Sequence, residues 1–208
     1  MSGVSCKLNV NNVYFEQLDK LLKDDVKTIT CSEMSDLYFS FGRNLKNLTG
    51  ISANYTWLSE FLIFRYVYHY LCFNEGAILD ENSRVQFQNN RDGLTLIPNK
   101  TVTVNGNTQV PDVVVMKNDS ILRLISVKTT MLKVEEDFER ISNIRAGVHS
   151  NFRSVTVTFD EMRNSTKLKM QEVELDYEWH KYISLKNEKH TFYSVLTEKL
   201  KLKEVLLQ

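Results

Sequence analysis

A single α/β domain with a mixed β-sheet is the architecture this chain predicts, and three observations predict it. Apolar residues recur at helical spacing in the first third, alternate in the middle, and return to helical spacing near residue 134. An Asn-Gly pair, Asn105-Gly106, stands between two alternating runs, a strong hairpin cue. The chain's 208 residues, 42% apolar and 25% charged, suffice for one ordinary core and fall short of two.

The elements follow in order. Residues 11–24 (NNVYFEQLDKLLKD) set Val13, Leu18, Leu21 and Leu22 roughly on one stripe and predict a helix. Ser32 is placed as the N-cap of a second helix through EMSDLYFSFGRNLKNL. Both suit either a scaffold or a dimer surface. A third helix, near residues 55–73, repeats Trp57, Phe61, Phe64, Tyr68 and Leu71 at spacings of three and four. Glu60 lies beside Phe61 on that stripe, so its carboxylate should face inward, where it is costly unless it meets a proton, a cation or a metal. The structural alternative sets it at the helix edge, paired with Arg65 or another base.

Alternation then begins in SRVQFQNN and continues through LTLIPNKTVTVNGNTQV. VPDVVVM and ILRLISVKT follow as two strands joined by a turn at KNDS. KVEEDFERISNIRAGV returns to helical spacing with Val134, Phe138, Ile141 and Val148 on one face, and FRSVTVTFD reads as another buried strand. The last fifty residues are helix-rich or mixed.

Composition narrows the function. Cys6, Cys31 and Cys72 are far apart with no CxxC pair, which argues against structural zinc and fits reduced thiols. MSGVSCKLNV does not read as a signal peptide. WLSEFLIFRYVYHYLCF carries Glu60, Arg65 and His69 and is short for a bilayer, so the expectation is a core helix in a cytoplasmic protein without membrane partners. Zero formal net charge argues against a coat of basic charge but leaves room for a local basic cleft. His69, His149, His180 and His190 lie in no nucleophile or metal-ligand spacing, and packing or surface roles are expected for them.

Chemistry concentrates in QVPDVVVMKNDSILRLISVKTT, residues 109–130. Residues two apart on a strand share a face, so Ser126 and Lys128 point the same way, and Asp112 opens the neighbouring antiparallel strand near the same end of the sheet. Glu60, on a helix packed against that sheet, would complete a cluster of two acids, a lysine and a hydroxyl. Such a cluster suits phosphodiester hydrolysis: carboxylates hold a hard divalent cation, and a lysine orients water or offsets developing charge. Taken singly, Asp112 reads as a strand-entry acid and Lys128 as a solvated strand end.

Together, Pro111-Asp112, a spacer of residues 113–125 and Ser126-Val127-Lys128 resemble the PD-(D/E)xK nuclease superfamily over roughly residues 54–160. ISVKTT followed by the charged EEDFERI is most similar to type II restriction endonucleases. The resemblance implies a restriction-endonuclease-like core of about residues 54–160, with a helical N-terminal elaboration over 1–53 and a C-terminal one over 161–208. It also implies a Mg2+-dependent, site-specific deoxyribonuclease that cuts double-stranded DNA as a homodimer. Asp112 and Glu60 would bind metal with the backbone carbonyl of Val127, Lys128 would act on the water, and Ser126 would support a metal-bound water. Ser126 departs from the pattern, which has an acid there. Glu60 is the favoured replacement, and Glu135, Glu136 or Glu139 downstream are the other sources, with Glu139 second choice. For DNA contacts the expectations are Thr129 and Thr130 beside the active site, Lys133, Arg140, Arg145 and Arg153 at backbone or guanine edges, and Asn90 and Arg91 in the loop QNNRDG. The rival readings are a structure-selective nuclease (a junction resolvase or repair enzyme) and a DNA-binding module without catalysis.

Overall fold

A computed structural model describes residues 10–50, 55–75, 87–89, 94–104, 106–118, 120–145, 148 and 151–205. Three helices come first: α1 (Val10–Asp24), α2 (Cys31–Thr49) and α3 (Thr56–Glu75). The cap of α2 is Thr30 rather than Ser32. The Thr30 hydroxyl accepts from the Glu33 backbone N–H at 3.1 Å, and the Glu33 carboxylate accepts from the Thr30 N–H at 2.8 Å. This reciprocal capping box takes up two helix-end donors. Thr30→Ala is therefore expected to lower stability by about 1 kcal/mol, read from the urea midpoint at unchanged slope.

Strands β1 (Phe87–Asn89), β2 (Leu94–Pro98), β5 (Val113–Lys117), β6 (Ser120–Lys128), β7 (Arg153–Thr158) and β8 (His180–Ser184) form one mixed sheet in the order β1-β2-β5-β6-β7-β8. The pairs from β1 to β6 are antiparallel, and β6-β7 and β7-β8 are parallel. β3 (Val102–Val104) and β4 (Asn107–Gln109) make the expected hairpin, a separate two-stranded ribbon, with Gly106 at φ 79° in the turn. That left-handed conformation is what glycine supplies without a Cβ clash. The β5-β6 turn passes through Asn118 at φ 47°.

Each face of the sheet has its own cover. Val113, Val115, Ile125, Val127, Val155, Val157 and Ile183 pack with residues of α1, α2, α3 and α6 (Phe192–Lys199) in the main core. Val114, Met116, Ile121 and Leu124 face α4 (Val134–Arg145) and the ribbon. α5 (Asn164–Asp176) packs on β8 through Met170 and Tyr182, and a short 3-10 turn, Leu202–Val205, follows α6. Both expected elaborations contribute to the core: α1 and α2 supply Leu22 and Met34, and the C-terminal part supplies a sheet strand and Phe192. No helix among the described residues is long and apolar enough to cross a membrane.

Arg123 is the largest fully buried side chain. Its guanidinium donates to the carbonyls of Leu122 and Asn151, both at 2.9 Å, and of Lys201 at 3.1 Å. It thereby ties β6 to the start of β7 and to the C-terminal turn. Burial pulls its pKa down to about 10.

Candidate active site

Asp112 lies one residue before β5, where its carboxylate accepts from the Val127 N–H of β6 at 2.5 Å. Its own carbonyl accepts from the Asn99 N–H at 3.0 Å. Asn99 follows β2 at φ 48°, and its side-chain amide acts on the Glu60 carboxyl, favouring its charged form. So β2, β5 and β6 converge with α3 at one end of the sheet, as the spacing of Asp112 and Lys128 predicts. Arg65 is the base that the alternative reading pairs with Glu60. It grips Asp19 of α1 through two bonds, 2.6 and 2.8 Å long.

Charge is crowded at this end. Burial raises the Glu60 pKa, and the nearby Asp112 charge raises it further, against the pull of Asn99 and Lys128. Burial likewise raises that of Asp112, opposed by the Val127 N–H and the Lys128 and Arg140 charges. Two partly desolvated carboxylates close enough to repel each other form a hard-oxygen donor set. Among the described residues no three His, Cys, Asp or Glu side chains stand together as a metal cage. Two carboxylates are the share of ligands that a protein gives Mg2+, which keeps several waters.

The acid that stands behind Ser126 and Lys128 is one that sequence reasoning missed. Asp137 is 5% exposed; its Oδ1 lies 3.1 Å from the Lys128 ammonium and accepts from the Ser126 hydroxyl at 3.3 Å. Its Oδ2 accepts from the Thr156 hydroxyl of β7 at 2.7 Å. Ser126 is thus nearly buried, its hydroxyl donating to Asp137. Glu139, Glu135 and Glu136 are all exposed. The buried stripe of α4 is Val134, Asp137, Ile141 and Ile144, so Glu139 points away from the sheet. Glu135 and Glu136 pair with Lys169 and Lys133.

The expected DNA contacts divide. Lys128, Thr130, Lys133, Asp137 and Arg140 line one cleft of about 220 Å³. Arg140, exposed, bonds the Gln109 side chain of the ribbon at 3.3 Å. The Thr129 carbonyl accepts from Asp160 N–H at 3.1 Å, which fastens the turn after β6. Arg145 instead lies over the Trp179 ring at 5.0 Å, a cation–π contact that turns it from the cleft. Arg153 donates to the Glu178 carbonyl at 2.7 Å. Asn90, Arg91 and His149 lie outside the described residues. Two larger cavities, about 590 and 630 Å³, sit between α1 and α2 and hold none of these residues.

His180 lies under α4, fully buried, with Nδ1 2.8 Å from the Ser154 hydroxyl. Burial pulls its pKa from 6.5 to about 4, against the opposing Asp137 charge. The unfolded chain takes up this proton near 6.5 and the folded protein only near 4. Across that window the unfolded state binds more protons, so stability falls as the pH drops through it. The full effect is about 3 kcal/mol. Denaturation of His180→Phe at pH 7 and pH 4.5 should show a smaller pH loss than the parent; an equal loss would place the proton elsewhere.

No family model and no curated protein matches the chain. Among solved structures, protein VC1899 from Vibrio cholerae is similar at a TM-score of 0.41 and 13% identity over 68% of this chain. The chain spans about a third of that protein's length (34%), and so weak a likeness assigns no function.

Proposed function

We propose that the protein is a magnesium-dependent endonuclease of double-stranded DNA, of the type II restriction kind. The observation that carries this reading is the bond of the Asp112 carboxylate to the Val127 N–H beside Lys128, at the end of the sheet where the Glu60 and Asp112 charges act on each other. Glu60, Asp112 and the Val127 carbonyl would hold the ion, which supplies charge neutralisation at a phosphate and a more acidic water. The chain's own part is to fix these oxygens: the Val127 N–H orients Asp112, and the Asn99 amide favours the charged form of Glu60. Lys128, whose charge acts on both acids, would orient the attacking water and offset charge on the phosphate. Thr130, Lys133 and Arg140, along the adjoining cleft, suit contacts to the DNA backbone. A homodimer, one active site per strand, would cut both strands of a palindromic site.

The test is digestion of unmodified plasmid and phage DNA by the purified protein, with Mg2+ and with chelator. Discrete bands that require Mg2+ are expected. A smear would favour a nonspecific or repair nuclease, and cleavage of branched DNA alone would favour a junction resolvase. No cleavage of any of these substrates would overturn the enzymatic reading.

A further inference from the structure

Lys128 sits on a flexible four-carbon stem at the end of β6, and its usefulness depends on where its ammonium is held. The carboxylate that holds it is buried beneath α4, where a charge is tolerable only when paired and hydrogen-bonded. Asp137 meets both conditions. Oδ1 takes Lys128 at 3.1 Å and Ser126 at 3.3 Å, and Oδ2 takes Thr156 at 2.7 Å. Ser126 and Thr156 are register partners on adjacent parallel strands, so their hydroxyls form a row under the helix. Thr156 is fully buried and Ser126 is 6% exposed. Both oxygens of Asp137 are thus engaged from the sheet, whereas Glu60 and Asp112 converge through α3, β2 and β5.

We propose that Asp137 is a positioning residue for Lys128, itself anchored by Ser126 and Thr156. The proposal rests on the nuclease reading for its catalytic meaning. Its geometry stands without it. The Ser126 hydroxyl binds the carboxylate that grips the lysine, two residues further on and on the same face.

Asp137→Asn keeps the shape and removes the charge. In the full-length protein it is expected to lower kcat for DNA cleavage about 10²-fold, the order of loss for a misplaced catalytic group. KM for DNA and the Mg2+ concentration for half-maximal rate should be unchanged. In a Lys128→Ala background Asp137→Asn should cost nothing further, since the two act as one unit. A tenfold or larger rise in the Mg2+ requirement would make Asp137 a metal ligand, and additive losses would separate it from Lys128; either overturns the proposal.

A second readout needs no activity. Acetylation by an amine-reactive ester, followed by mass spectrometry, should label Lys128 about tenfold faster in Asp137→Asn than in the parent, with other lysines as internal controls. Unchanged labelling overturns the proposal whatever the substrate. Should Asp137→Asn fail to fold, Thr156→Val and Ser126→Ala carry the same labelling test, with a several-fold rise expected and no rise overturning it. If the parent cuts no DNA, the nuclease reading falls and labelling alone decides the positioning role.

Discussion

Asp112→Asn is expected to lower Mg2+-dependent DNA cleavage by about 10³-fold or more, and Lys128→Ala by a similar factor. The asparagine oxygen can still accept the Val127 N–H, so the bond that fixes the start of β5 to the end of β6 survives. What is lost is an anionic oxygen for a hard cation, which an amide replaces poorly. Thermal unfolding and DNA binding in chelator should remain near those of the parent. These controls matter because a folding defect would also remove activity. Full cleavage by either folded variant would remove that residue from the reaction.

Arg123→Ala carries the largest expected effect on stability, a loss of about 3–4 kcal/mol. The substitution leaves a void at a fully buried position and strips the donors from the carbonyls of Leu122, Asn151 and Lys201. Arg123→Met separates the two causes. It refills most of the volume while the carbonyls stay without their donors, so about half the loss should return. Guanidinium unfolding of the three proteins measures this. Equal stability of Arg123→Ala and the parent would contradict the anchoring role assigned to this side chain.

Much of the architecture was legible because it rests on local periodicity. The change from helical spacing to alternation after α3 is a property of neighbouring residues, as is the hairpin cue, and the strands and the β3-β4 hairpin with Gly106 in its turn appear where expected. Asp112 and Lys128 could be brought to one end of the sheet by strand alternation alone, whereas the expected α3 stripe was a poor guide to Glu60, since Trp57 on it is exposed and α3 is buried on most sides. Asp137 could not. Phe138, its neighbour, reads as the inward residue when apolar side chains alone set the phase, yet the helix turns Asp137 toward the sheet. A carboxylate reads as a surface residue until its partners, Lys128, Ser126 and Thr156, are known, and the last belongs to another strand. Asn99 was missed for a similar reason: its left-handed backbone and its reach to Glu60 are set by tertiary contacts. β8 was hidden too, because its α4-facing side is polar, with His180, Tyr182 and Ser184 buried there. Nothing in a local pattern distinguishes such a strand from a solvated one.

Binding of one divalent ion by Glu60 and Asp112 is the claim from which the chemistry follows, and it can be measured without a substrate. Mn2+, a paramagnetic stand-in for Mg2+, should be titrated into the parent, Glu60→Gln and Asp112→Asn while the free-ion resonance signal is followed. One ion bound per chain in the parent, with about tenfold or greater weakening in each variant, is the predicted result. Equal Mn2+ binding by all three proteins would contradict it and remove the metal from this end of the sheet.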